Sequence, residues 1–209
     1  QYNVAEEITQ ILNDIECVEN CNVRDFMKIV LSSIIVKVSN QESDTRFAAK
    51  DKGIENNFVF TQFMSRASEY LNRMIDFSNT VNTDTTLTLI NADSRNLSML
   101  ENDSIDIIIT SPPYANTYDY YLYHKFRKRW LDIDVKYAQN NEIGSRREYS
   151  SLKKPATQWT TDLKKCFEEM HRLLKPNALA FIVIGDSVIK KELRLSQDLW
   201  AKLDLRYAI

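Results

Sequence analysis

The run Ile105-Asp106-Ile107-Ile108-Ile109 stops against Thr110-Ser111-Pro112-Pro113-Tyr114, and that junction limits what this chain can fold into. A short isoleucine-rich run reads as a β-strand. Its near-continuous apolar character, rather than strict alternation, suits a parallel strand covered on both faces. The two prolines end it. Each lacks an N–H for the ladder and fixes φ at about −65°, so the backbone leaves the strand in a set direction.

The surrounding sequence repeats the pattern. Thr86–Ile90 is a short β-rich run that ends in Asn91-Ala92-Asp93-Ser94, and Ala178–Ile184 ends at Gly185-Asp186-Ser187. Before the latter, Leu163, Phe167, Met170, Leu173 and Leu174 mark an amphipathic helix that Pro176 closes. Strands alternating with helices predict a parallel α/β sheet. Ligands in such sheets bind beyond the carboxyl ends of the strands, where Asp93, Ser111 and Asp186 would stand.

Upstream the period is helical. Val4, Ile8, Ile11, Leu12 and Ile15 form one stripe, and Phe26, Val30, Leu31, Ile34, Ile35 and Val38 a second. Residues 39–53 are polar and read as a loop. A third helix is predicted over 56–78, with Phe60, Phe63, Met64, Ala67, Leu71, Met74 and Ile75 inward, and Asn79–Thr85 is a linker. The expected organisation is a helical region over 1–85 and a sheet-forming region over 86–209. Residues 132–159 are polar, contain Gly144 and Pro155, and read as a long irregular loop; loops of that length are often functional.

Bulk properties exclude several classes. The formal net charge is −2, so a nucleic-acid partner needs a local basic face rather than a bulk field. No apolar run approaches a membrane span and no signal-peptide pattern opens the chain, which together suggest a cytoplasmic protein. Cys17, Cys21 and Cys166 are sparse and unpaired, with no second Cys or His pair for a metal site, so no metal is expected. The three glycines, Gly53, Gly144 and Gly185, are isolated, so no Gly-x-Gly nucleotide loop is present. The chain opens on Gln1 and is read as a piece of a longer protein.

Ser-Pro-Pro-Tyr at a strand end has a specific chemical use. The exocyclic amine of cytosine or adenine is a poor nucleophile, because its lone pair is delocalised into the ring. Two acceptors on its N–H groups draw it towards tetrahedral geometry and restore the lone pair. Ser111 Oγ is one candidate acceptor and the Pro112 carbonyl is the other. Tyr114 offers a flat face for a base taken out of the stack.

Ile105 to Tyr114 resembles motif IV of the amino-methylating DNA methyltransferases that use S-adenosylmethionine. The serine version is similar to the N4-cytosine branch; the adenine branch more often has Asp or Asn at this position. Flanking stretches carry the likeness further: Ala115-Asn116-x-Tyr118-Asp119-Tyr120, His124-Lys125, Trp130-Leu131 and Ile143-Gly144-Ser145-Arg146-Arg147. The resemblance implies a partial Rossmann-like methyltransferase sheet, parallel strands with flanking helices, preceded by a helical region. It implies S-adenosylmethionine as cofactor and double-stranded DNA as partner, with a cognate restriction endonuclease in the cell. Ser111, Pro112, Pro113 and Tyr114 would hold the target amine. Asp93 and Thr110 would approach the cofactor, and Gly185-Asp186-Ser187 would lie near the base pocket. The family's Phe-x-Gly-x-Gly loop has no counterpart here. It is expected N-terminal to Gln1, with residues 1–85 as a helical insert.

Lys125, Arg127, Lys128 and Arg129 follow the motif and are interleaved with aromatic residues, which suggests phosphate contact rather than a solvated helix face. Arg146 and Arg147, in the long loop, are candidates for the same role. His124 is not expected to act as a base, since positioning matters more than proton abstraction in attack on a cationic sulfonium. Asp44 and Arg46 have no assigned role. Methylation at cytosine C5 is disfavoured, because it needs a thiolate and no cysteine follows a proline. Three alternatives stay open: an N6-adenine enzyme, an RNA or protein-amide methyltransferase of the same fold, and a non-catalytic binding module.

Overall fold

A computed structural model of the chain describes residues 1–194 apart from 83, 156, 190 and 191; residues 195–209 of the expected second region lie outside the described residues. In chain order the elements are α1 (Tyr2–Glu16), α2 (Cys21–Val38), β1 (Gln41–Ser43), β2 (Arg46–Ala49), α3 (Phe58–Ser78) and β3 (Ile105–Thr110). They continue with α4 (Tyr120–Tyr123), α5 (Lys125–Trp130), α6 (Val135–Asn141), α7 (Arg146–Ser150) and α8 (Thr157–Leu173). The last are β4 (Leu174–Ile182), β5 (Ser187–Ile189) and β6 (Glu192–Arg194). Two compact units result: Gln1–Leu87 with Tyr121–Asn140, and Thr88–Tyr120 with the chain from Asn141.

The first unit is a helical cluster. Val4, Ile8, Ile11 and Ile15 of α1 pack with Val30, Leu31, Ile34, Ile35 and Val38 of α2 and with Val59 and Phe63 of α3. The i, i+4, i+7 spacing that predicted these helices is the spacing that buries them. Both α2 and α3 have carboxamide or carboxylate caps. The Asn20 side chain accepts from the backbone N–H of Asn22 and Val23 at 3.0 and 3.1 Å. Buried Glu7 of α1 accepts from the N–H groups of Asn57 and Val59 at 2.7 and 3.0 Å. An acidic group at a helix N-terminus satisfies orphan donors and meets the positive end of the helix dipole. Phe126 and Trp130 of α5 pack against the same core, which explains why residues 121–140 join this unit.

Two sequence readings change in this unit. Residues 39–53 contain an antiparallel ribbon, β1 with β2, in place of a plain loop. The apolar stripe of α3 is buried only in its first half. Val59, Phe63, Ala67 and Tyr70 meet the core, whereas Met64, Leu71, Met74 and Ile75 are exposed rather than inward.

The second unit is built on a parallel pair. β3 and β4 run side by side with Ile107 opposite Leu179, Ile109 opposite Phe181 and Thr110 opposite Ile182. Helix α8 precedes β4 directly and lays Trp159, Leu163 and Phe167 onto a core completed by Ala115, Tyr149, Ile143, Met170, Ile182 and Ile184. Cys166 on the same helix is buried, which pushes its thiol up to about 11. Glu169 of α8 clamps the chain ahead of β3: it accepts from the Leu97 N–H at 2.6 Å and from Arg172 Nη2 at 2.8 Å. Hydrogen bonds from Arg172 and Leu97 hold its carboxyl down at about 2. A small parallel sheet flanked by helices is a partial Rossmann-like arrangement, here preceded by a helical region.

Three expectations are corrected in the second unit. Thr86–Ile90 is not a strand: it is irregular, and Leu89 is 87% exposed. β-Propensity needs a ladder partner to be realised, and among the described residues this run has none. β3 is not covered on both faces, since Ile107 and Ile109 are 51% and 76% exposed and β4 is its one sheet partner among the described residues. Residues 132–159 are not a structureless loop, for they carry α6, α7 and the start of α8. Among the described residues, no helix is long and apolar enough to cross a membrane.

Candidate functional site

The carboxyl ends of β3 and β4 lie together, and the Ser-Pro-Pro-Tyr loop crosses them. Val183 N–H donates to the Thr110 carbonyl at 3.0 Å, so the ladder persists to the residue before Ser111. Ser111 is exposed, and Pro112, Pro113 and Tyr114 are half-buried. Neither Ser111 Oγ nor the Pro112 carbonyl has a hydrogen-bond partner among the described residues. The Pro113 carbonyl does have one: it accepts from Trp159 Nε1 at 2.9 Å. Gly185, three residues beyond β4, lies against the Tyr114 ring; a Cβ there would stand 3.6 Å from Cε2 and 3.7 Å from Cζ.

Beyond Tyr114 the loop is tied down again. Asn116 has φ +56°, its N–H donates to the Gly144 carbonyl at 2.8 Å, and its side chain donates to the Val188 carbonyl at 2.9 Å. Gly144 N–H donates to buried Glu148 at 3.0 Å, and Lys154 Nζ pairs with the other oxygen of Glu148 at 2.5 Å. Arg146 Nη2 donates to the Thr117 carbonyl at 2.8 Å, and the N–H of Arg147 donates to buried Asp119 at 3.0 Å. The Tyr118 and Tyr120 rings sit 5.6 Å apart, and desolvation raises the Tyr120 hydroxyl above its usual value.

Asp93 is placed differently from the sequence reading. It sits in an irregular turn, not at a strand end, and Arg95 occupies its carboxylate. Arg95 Nε and Nη2 donate to the two oxygens at 2.9 and 2.7 Å, which holds the carboxyl below its ordinary value. Arg95 also reaches buried Asp162 at 3.4 Å. Asp93 is thus a fixed acceptor with part of its capacity spent on Arg95.

The candidate basic residues divide between the units. Lys125, Arg127, Lys128 and Arg129 lie on α5 in the first unit; Arg146 and Arg147 lie on α7 in the second, with the motif. Arg127 is engaged internally: it donates to the Ser32 carbonyl at 2.9 Å, pairs with Asp44, and meets His124 Nδ1 at 3.0 Å. Lys125 Nζ lies 5.9 Å over the Phe47 ring, and Arg129 is exposed. Burial lowers His124 below its usual value, with Arg127 and Lys128 adding to the effect. Arg46 pairs with Glu42 at 3.1 Å. Trp159 and Glu148 are the site residues that motif reading did not single out by role. Only an isolated tryptophan on an otherwise polar helix stretch hinted at the first.

A parallel strand end that offers two unpartnered acceptors beside an aromatic ring has the means to hold a planar amine by both of its N–H groups. Residues 105–207 match the model of a family described as DNA methylase, and over this stretch the match supports an amino-methyltransferase of the N6/N4 class. Comparison with curated proteins and with solved structures returns no match.

Proposed function

We propose that the protein methylates the exocyclic N4 amine of cytosine in double-stranded DNA, after the base has been turned out of the helix. The observation that carries this reading is the pair of unpartnered acceptors, Ser111 Oγ and the Pro112 carbonyl, at the carboxyl end of β3. Each accepts one N–H of the target amine. Together they draw the nitrogen towards a pyramidal form and concentrate its lone pair on the side away from both acceptors. Tyr114, backed by Gly185, stacks on the flipped ring, worth about 1–3 kcal/mol per base. The Pro113 carbonyl is already turned to Trp159, which leaves the Pro112 carbonyl as the acceptor without a partner among the described residues. Serine rather than an acidic or carboxamide side chain in the first position favours cytosine over adenine.

S-adenosylmethionine, the donor general to this family, would supply an electrophilic methyl group on a sulfonium. Thr110 and Asp93 are the residues of this chain proposed to border it. Lys125, Lys128, Arg129, Arg146 and Arg147 are proposed to meet phosphates, with Arg127 acting through its hold on Asp44 and Ser32.

Mass analysis of nucleosides from DNA treated with the protein and S-adenosylmethionine is expected to show N4-methylcytosine. N6-methyladenine would move the target to adenine, and an unmodified pool would sink the enzymatic reading. Replacing Arg129 and Lys128 with alanine is expected to weaken DNA binding evenly across sequences and to reduce the salt slope by about one per lost contact. An unchanged slope would remove α5 from the interface.

A further inference from the structure

We infer that Trp159 is a positioning residue, whose indole N–H decides which of two adjacent proline carbonyls is left for the substrate amine. The inference rests on the functional reading above. Pro112 and Pro113 both lack an N–H, so no ladder bond orients the peptides around them. Two carbonyls a residue apart are therefore available to any donor that approaches the loop. Trp159 Nε1 takes the Pro113 carbonyl at 2.9 Å, and the Pro112 carbonyl has no partner among the described residues. Fixing the Pro113–Tyr114 peptide plane also fixes the direction in which the Tyr114 ring leaves the backbone, over Gly185.

The indole is itself held rigidly. Trp159 is 2% exposed and packs with Leu163, Phe167 and Ala115 in the core of this unit. Gly144 lies directly against it: a Cβ at that position would stand 2.9 Å from Trp159 Cδ1 and 3.3 Å from Ala115 Cα. The same glycine accepts from Asn116 N–H at 2.8 Å. The loop is therefore gripped at three places: Thr110 by Val183, Pro113 by Trp159, and Asn116 by Gly144. The middle grip is the one made by a side chain, and it lies next to the Pro112 acceptor. Misplacing a reacting group by an ångström costs up to about 10²-fold in rate.

The test is Trp159→Phe, which keeps a flat apolar ring and removes the donor. Steady-state methylation of DNA is expected to show kcat lower by roughly 10- to 100-fold. KM for DNA and for S-adenosylmethionine should stay within about twofold, because the variant alters geometry at the amine and not binding. Trp159→His restores a ring N–H and is expected to recover most of the lost kcat. Unchanged kcat in the phenylalanine variant overturns the inference. So does a loss of kcat that histidine does not recover at an unchanged melting temperature. Both outcomes presuppose a parent protein that methylates DNA. A parent that methylates none overturns the functional reading, and this inference with it.

Discussion

Replacing Ser111 with alanine is expected to slow methyl transfer by about 10²-fold and to leave the protein as stable as before. The rate loss follows from the chemistry of the amine. With the hydroxyl gone, one N–H of the base faces no acceptor, and the nitrogen keeps more of its conjugation with the ring. Removing a single aligned hydrogen-bonding group from the place where charge develops typically costs about 10²–10³-fold. The stability expectation follows from the surroundings. Ser111 is exposed and has no hydrogen-bond partner among the described residues, so alanine there should shift unfolding by no more than about 0.5 kcal/mol. Single-turnover methylation and a thermal melt on the same preparation separate the two effects. A rate within twofold of the parent would show that Ser111 is not the acceptor.

Much of this was legible before any coordinates, and the reason differs from element to element. β3 was legible because an isoleucine run against two prolines admits little except a strand with a forced exit. Helices α1 and α2 were legible because their apolar spacing is buried along most of its length. Thr86–Ile90 was misread because β-rich composition says nothing about a partner, and a strand exists only as a member of a ladder. The second half of α3 was misread for a related reason: a stripe predicts a face, not what covers it. Residues 132–159 looked structureless because α6 and α7 are short and polar: exposed Asp134 caps α6, and buried Asp119 and Glu148 hold the start of α7 and the turn before it, in place of an apolar stripe.

The site divides along the same line. Ser111, Pro112, Pro113 and Tyr114 are contiguous, so a motif could point to them. The groups that hold them are distant in sequence. Trp159 meets Pro113 and Gly144 meets Asn116 only once the chain has folded. The Asp93–Arg95 pair shows the reverse hazard. Asp93 was expected at a strand end as a cofactor acceptor, but it lies in an irregular turn where the arginine two residues on bonds both its oxygens. Local charge pairing of this kind is invisible to a reading that follows strand ends alone.

Gly144→Ala should have the largest effect on stability of any single-methyl change at the site. Gly144 has φ +74°, in the left-handed region, where a residue with a Cβ costs about 1–2 kcal/mol. The new methyl would also stand 2.9 Å from Trp159 Cδ1 and 3.3 Å from Ala115 Cα, inside normal contact. Overpacking of a filled core costs about 1–3 kcal/mol. Together these reach on the order of 3 kcal/mol, a large share of the roughly 5–15 kcal/mol that holds a domain folded. Denaturant unfolding followed by circular dichroism checks the size, and a change below about 0.5 kcal/mol would show that the packing is loose. The Trp159→Ala background separates the two causes. It removes the atoms nearest the new methyl but leaves the backbone strain and Ala115 in place. Gly144→Ala should then cost about 1–2 kcal/mol less than in the parent, a coupling of the size seen between residues in direct contact. Equal cost in both backgrounds would mean that the strain at positive φ and the Ala115 contact, and not the indole, reserve this position for glycine.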